Sequence, residues 1–207
     1  MKNIYRGLAL FVFCIGLGFA VSYNFLNITF INKLVVQFFT SIRNEVGMEL
    51  MKSVTTFGES SILTPLIIIS LMFFLLKKHW EYGVIFGLGI YVVNFLTTYA
   101  KNFFDIARPL AQFGYSARGY AYPSGHVSNA AIVFLTLALY FLSVQNKVIK
   151  YIGVSICTLA TIGVGISRMY LNVHWFTDVI GGTCLALSII LILYGIVQVL
   201  ERPKFVR

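Results

Sequence analysis

The sequence predicts an all-α fold: a membrane bundle of six transmembrane helices with one amphipathic interfacial helix, all within a single domain, 1–207. Three observations predict it. Six long apolar runs divide the chain, each close to the roughly 20 residues that cross a bilayer as a helix. Only 11% of the residues are charged and 58% are hydrophobic, whereas a soluble domain carries about a quarter charged residues. Mean hydropathy is +0.85, and six spans leave no room for a soluble domain beside them.

The predicted spans, in order, are Gly7–Phe25, Ile62–Leu76, Tyr82–Tyr99, Ser128–Val144, Tyr151–Leu171 and Val179–Leu200. The second is short, with Pro65 near one end, where a membrane helix tolerates proline. Between the first two lies Asn27–Gly58, which mixes apolar residues with Lys33, Arg43, Glu45, Glu49 and Lys52. Leu34, Val35, Phe38, Phe39 and Ile42 recur in it at helical spacing. That pattern suits an amphipathic helix lying at the interface, and equally a packed helix and loop outside the membrane. Cys14, Cys157 and Cys184 fall inside apolar runs without paired spacing, as packing residues do rather than a disulfide framework.

The short loops orient the bundle. Lys2 and Arg6 precede the first span, Lys77 and Lys78 follow the second, Lys147 and Lys150 follow the fourth, and Arg202, Lys204 and Arg207 follow the sixth. Threading six spans collects all four clusters on one side, which the positive-inside rule makes cytoplasmic together with both termini. The first run, with Ala20-Val21-Ser22 after it, also resembles a cleavable leader; its length favours a retained span. The formal charge of +9 is spread between apolar runs rather than gathered in a stripe. It is therefore read as topology and attraction to anionic headgroups, not nucleic-acid binding.

Three polar clusters fall on the opposite, extracytoplasmic side. They are Lys101 to Arg108-Pro109, then Pro123-Ser124-Gly125-His126, then Ser167-Arg168 through His174 to Asp178. Taken singly, each residue has an ordinary reading. A basic residue at a span end is usually a snorkelling anchor, Pro-Ser-Gly is a common turn and helix start, and Asp178 suits a helix N-terminus. Together they supply phosphoryl-transfer chemistry. Lys101, Arg108 and Arg168 are cations suited to a tetrahedral oxyanion. Ser124 and Gly125 offer a hydroxyl and backbone N–H groups at a helix start. His174 and Asp178, four apart, share a face if that stretch is helical, so the carboxylate can hold one imidazole nitrogen and free the other to attack. His126 is a second proton-transfer group. His79 is read as a solvated loop residue; Arg118, which matches no motif position, is read either as a solvated loop residue or as a contact for the substrate headgroup.

These clusters resemble the three-part signature of the type 2 phosphatidic acid phosphatase family: Lys-x6-Arg-Pro, Pro-Ser-Gly-His and Ser-Arg-x5-His-x3-Asp, each met without departure. The resemblance implies an integral membrane lipid phosphatase that works without a cofactor or metal. It also implies the roles: His174 as the nucleophile forming a phosphohistidine, Asp178 orienting it, and His126 as acid and base. Lys101, Arg108, Ser124, Gly125 and Arg168 would bind the phosphate. The implied partners are the bilayer and a membrane lipid phosphate: phosphatidylglycerophosphate, undecaprenyl pyrophosphate or phosphatidic acid. No nucleic acid and no obligate protein partner is expected. The alternatives are a phosphotransferase using the same phosphohistidine and a non-enzymatic transporter or headgroup-binding bundle. A transporter would place its charges at the midplane rather than at one face.

Overall fold

The computed structural model describes residues 1–110 and 113–201; the basic cluster of Arg202, Lys204 and Arg207 lies outside them. Every regular element among the described residues is helical. They run α1 Lys2–Ser22, α2 Leu26–Ile42, α3 Glu45–Thr55, a 3-10 turn Thr56–Gly58, α4 Ser60–Leu76, α5 Trp80–Phe104, α6 Gly125–Ser143, α7 Lys147–Tyr170 and α8 Phe176–Leu200. Six stretches are long and apolar enough to cross a membrane, and the chain is a multi-pass membrane protein. Inside a bilayer the backbone must satisfy its own hydrogen bonds, which is why each apolar run is a helix.

The spans are longer than the apolar runs that predict them, and the extra turns carry the chemistry. Helix α5 continues past Tyr99 to Phe104, taking in Lys101. Helix α6 starts at Gly125, taking in His126, and α8 starts at Phe176, taking in Asp178. Two cross-links fix the threading. Asn3 Nδ2 donates to Gln198 Oε1 at 2.9 Å, where α1 begins and α8 ends. The Ser22 hydroxyl donates to the Phe104 carbonyl at 3.2 Å, where α1 and α5 both end.

The segment expected to be one amphipathic stretch is two helices. Asn44 breaks it: its side chain accepts from the Gly47 backbone N–H at 2.8 Å, satisfying a donor at the start of α3 as N-cap residues do. Helix α2 has three faces. Asn32 and Phe39 are buried against the start of α8 and the end of α7. Leu26, Phe30, Leu34, Phe38 and Ile42, four apart, remain exposed, and Lys33, Gln37 and Ser41 are exposed beside them. A helix that presents packing, apolar and polar faces at the end of a bundle suits the membrane boundary. Helix α3 leads instead through the 3-10 turn into α4, so the second span is preceded by 14 helical residues, Glu45–Gly58, that its apolar run did not announce.

The core lies between α4, α5, α6, α7 and α8. Phe74, Phe86, Val93, Ile132, Val164 and Ala186 are among its buried residues, and α6 is the most enclosed span. Outward residues such as Tyr91 (71% exposed) and Leu159 (66% exposed) present the apolar surface that a bilayer covers. Helices in lipid associate through close packing rather than exclusion of water. Gly182 is one such contact, since a Cβ there would come within 2.8 Å of the Ser124 carbonyl. This glycine lets α8 lie against the start of α6.

Candidate active site

Two left-handed residues aim the connections that build the site. Asp105 (φ 52°) ends α5, its N–H bonding to the Lys101 carbonyl, and turns the chain toward Arg108. Asn172 (φ 55°) follows α7 and turns it toward His174. Asp and Asn tolerate this conformation better than other residues with a Cβ. Asn172 Nδ2 also donates to the Leu110 carbonyl at 2.9 Å, joining the two connections.

His174 stands in the turn just before α8, and Asp178 lies in that helix's first turn. Asp178 Oδ2 accepts from His174 Nδ1 at 3.0 Å and from the Trp175 backbone N–H at 2.8 Å. The pair therefore meets by N-terminal capping, not across a helix face as the four-residue spacing suggested, because α8 begins only at Phe176. The carboxylate is completely buried and His174 is 2% exposed. With Nδ1 carrying the proton, Nε2 presents its lone pair, and it lies 2.9 Å from Arg108 Nη1. Burial pushes the imidazole well below its ordinary pKa, and Arg108, Arg168, Lys101 and His126 push it the same way. The ring is therefore neutral at physiological pH, the state a nitrogen nucleophile needs.

The cations converge on this ring. Arg108 uses all five N–H groups within the protein. Nε donates to the Gly119 carbonyl (2.8 Å), Nη2 to those of Arg118 and Tyr120 (3.1 Å each), and Nη1 to Val173 (2.7 Å) and to His174 Nε2. Lys101 Nζ donates to the Tyr120 and Ala121 carbonyls at 2.6 and 3.3 Å. Arg168, 2% exposed, donates from Nη1 to the Thr55 hydroxyl at 2.9 Å, and the Tyr115 hydroxyl lies 3.5 Å away. Ser124 is the residue before α6 and donates its backbone N–H to the Asp178 carbonyl at 3.0 Å. Two buried donors at this centre, Arg168 Nε and Ser124 Oγ, have no protein partner among the described residues. Buried polar groups are normally hydrogen-bonded, and a bound oxyanion would satisfy both. Gly125 and His126 open α6. Gly58 packs so closely on His126 that a Cβ would lie 3.0 Å from His126 Cβ.

All eight residues singled out in the sequence thus gather at one end of the bundle. Three further contributors were not found there: Thr55, Tyr115 and Trp175, whose indole N–H donates to the Ala107 carbonyl at 2.8 Å. Thr55 and Tyr115 lie 113 and 53 positions from Arg168, and nothing local marks either. Arg118 is an exposed loop residue, as expected, although its carbonyl holds Arg108. His79 is less solvated than expected: Nδ1 lies 3.2 Å from Glu81 Oε1, and the ring packs on Tyr82 and Tyr140.

The sequence profile of the PAP2 superfamily matches residues 80–202, which hold all three clusters. Phosphatidylglycerophosphatase B of Bacillus subtilis (strain 168) is 31% identical over 206 residues, covering 96% of this chain and 98% of that one. The crystal structure described as a transmembrane PAP2 type phosphatidylglycerolphosphate phosphatase from Bacillus subtilis superposes with a TM-score of 0.82 at 28% identity. It covers 97% of this chain and 100% of that chain. Aquifex aeolicus LpxE shares the fold at TM-score 0.62 and 21% identity, over 86% of this chain and 98% of its own.

Proposed function

This chain belongs to the PAP2 superfamily, and on that premise we propose that it is a lipid phosphate phosphatase working through a phosphohistidine at His174. The observation that carries the proposal is the setting of that ring: Nδ1 held by a buried carboxylate, Nε2 facing a guanidinium. In the first step the Nε2 lone pair attacks phosphorus and the bond to the lipid oxygen breaks. His126 gives that oxygen a proton, and Asp178 stabilises the charge that develops on the His174 ring. In the second step His126 takes a proton from water, water attacks phosphorus, the P–N bond breaks and inorganic phosphate leaves. Arg168, Ser124, the Gly125 N–H and Lys101 hold the phosphoryl oxygens. The Arg108 N–H now on Nε2 moves to an oxygen as the P–N bond forms. Such fixed donors act where charge develops in the transition state.

The proposed substrate is a phosphorylated membrane lipid, phosphatidylglycerophosphate first, with undecaprenyl pyrophosphate and phosphatidic acid as the other candidates. The named Bacillus relatives support the first. Purified protein in detergent, offered the three lipids separately, should release phosphate fastest from phosphatidylglycerophosphate and should need no acceptor. Strict dependence on an added acceptor would make it a phosphotransferase.

The cradle consists of cations, and its one carboxylate holds His174 and the Trp175 N–H through Oδ2, so metal-independent turnover is proposed as well. Activity is expected to be unchanged in excess chelator. Loss of most activity, restored by magnesium, contradicts this mechanism.

We also propose that the site faces the extracytoplasmic side, on the charge bias of the loops. In a variant lacking the three native cysteines, Arg118→Cys should react with an impermeant thiol reagent on intact cells and Gln145→Cys should not. The reverse pattern inverts the orientation.

A further inference from the structure

Helix α2 carries none of the reacting or phosphate-binding residues, yet its buried face reaches the turn that holds His174. Asn32 and Phe39 lie two helical turns apart on α2 and so share that face. Phe39 packs edge-on against Tyr170, the last residue of α7, with ring centroids 5.9 Å apart. Asn32 bonds twice to Thr177 in the first turn of α8. Between these two contacts runs the connection 171–175, with His174 in it. Helix α2 therefore bridges the two helix ends that the catalytic turn joins.

The bonds of Asn32 have one possible arrangement. A backbone N–H only donates, so Oδ1 must face the Thr177 N–H (3.2 Å), and Nδ2 then donates to the Thr177 hydroxyl at 3.0 Å. The first N–H groups of a helix have no partner within it. Trp175 precedes α8, and its indole is a donor only, so it cannot cap Thr177. Asn32 supplies the acceptor from 145 positions away. Asn32 and Thr177 are 6% and 5% exposed. Without the amide a buried donor is left unpaired, which costs more than the bond is worth.

We infer that Asn32 is a positioning residue for the reaction: through Thr177 it holds the first turn of α8, and with it the His174–Asp178 pair, in line with the phosphorus. The inference rests on His174 as the nucleophile. The phosphate is held from other elements, by Arg168 of α7, Lys101 of α5, and Ser124 and Gly125 at the start of α6. A small shift of the α8 turn thus moves the nucleophile relative to a phosphate that stays bound.

Rapid-quench phosphorylation, steady-state kcat and competitive inhibition by inorganic phosphate test this, on detergent-purified protein with a soluble short-chain lipid phosphate. Asn32→Leu, nearly isosteric but without polar atoms, should slow phosphoenzyme formation about 10²-fold, the effect of misplacing a reacting group by about an ångström. Inhibition by inorganic phosphate should be unchanged. Thr177→Val, which loses only the hydroxyl, should be slower by at most about tenfold, the worth of one hydrogen bond, and Thr177→Ser should restore the rate. An unchanged phosphorylation rate in folded Asn32→Leu overturns the inference. So does an equal loss of rate and phosphate affinity, which is what general loosening of the fold would give, or a Thr177→Ser variant no faster than Thr177→Val. If Asn32→Leu does not fold, the two Thr177 variants decide it. Wild type that releases phosphate without a trapped phosphoenzyme contradicts the proposed function instead, and kcat of the same variants then decides this inference.

Discussion

His174→Ala is expected to abolish phosphate release while leaving substrate binding largely intact. The nucleophile disappears, but Arg168, Lys101, Arg108 and Ser124 still surround the phosphate. His126→Ala should behave differently, because it removes proton transfer and leaves attack on phosphorus possible. A positioned acid or base contributes about 10²–10⁴-fold, so turnover should fall by that order. The deficit should be smallest for a pyrophosphate substrate, whose leaving group needs least help. Steady-state phosphate release and equilibrium binding of a lipid phosphate, measured on both variants, check this. Activity retained in His174→Ala would remove the nucleophile from the account. Equal, complete loss in both variants would leave their roles unseparated and contradict the smaller effect expected at His126.

The second large effect is expected at Arg108. Its neutral replacement, Arg108→Ala, removes the N–H beside His174 Nε2 and the four that hold the carbonyls of Arg118, Gly119, Tyr120 and Val173. Loss of one such donor to a developing oxyanion costs about 10²–10³-fold in kcat. The pH profile gives a sign that a merely structural role would not. Arg108 is the largest charge effect holding the His174 pKa down, second only to burial. Without it the imidazole pKa rises, the ring is protonated at higher pH, and the acid limb of kcat should move to higher pH. Arg108→Lys keeps a charge but loses the planar fork. It should be slow as well, with the acid limb nearly in place. If Arg108→Ala leaves the acid limb where it was, Arg108 does not act on His174 electrostatically.

How far the sequence foretold this arrangement depended on whether a signal was local. The six spans were legible because a bilayer demands about 20 apolar residues, and the chain supplies them six times. Hydropathy alone stops short of the end turns of α5, α6 and α8, because Lys101, His126 and Asp178 interrupt it while the backbone stays helical; Ser124-Gly125 and Asp178 nevertheless marked helix starts by their chemistry. The break at Arg43-Asn44 left a signal, an asparagine just before an acidic first helical residue, but the apolar spacing of Leu34 to Ile42 obscured it. His174 and Asp178 were legible as a pair, yet not as a capping arrangement, since that depends on where α8 begins. The partnership of Arg168 with Thr55 and Tyr115 exists only in three dimensions. So does the saturation of Arg108 by loop carbonyls, which no spacing encodes.

The central claim, a covalent phosphoryl group on His174, is tested most directly by rapid-quench trapping. Enzyme mixed with radiolabelled lipid phosphate, quenched in alkali within milliseconds and digested, should yield one acid-labile phosphopeptide containing His174. The label should be absent from His174→Ala and should accumulate more slowly, without disappearing, in His126→Ala. A label that survives in His174→Ala and vanishes in His126→Ala would exchange the two roles. No trapped phosphoenzyme in wild type while phosphate is being released would mean that water attacks the lipid phosphate directly, contradicting the account.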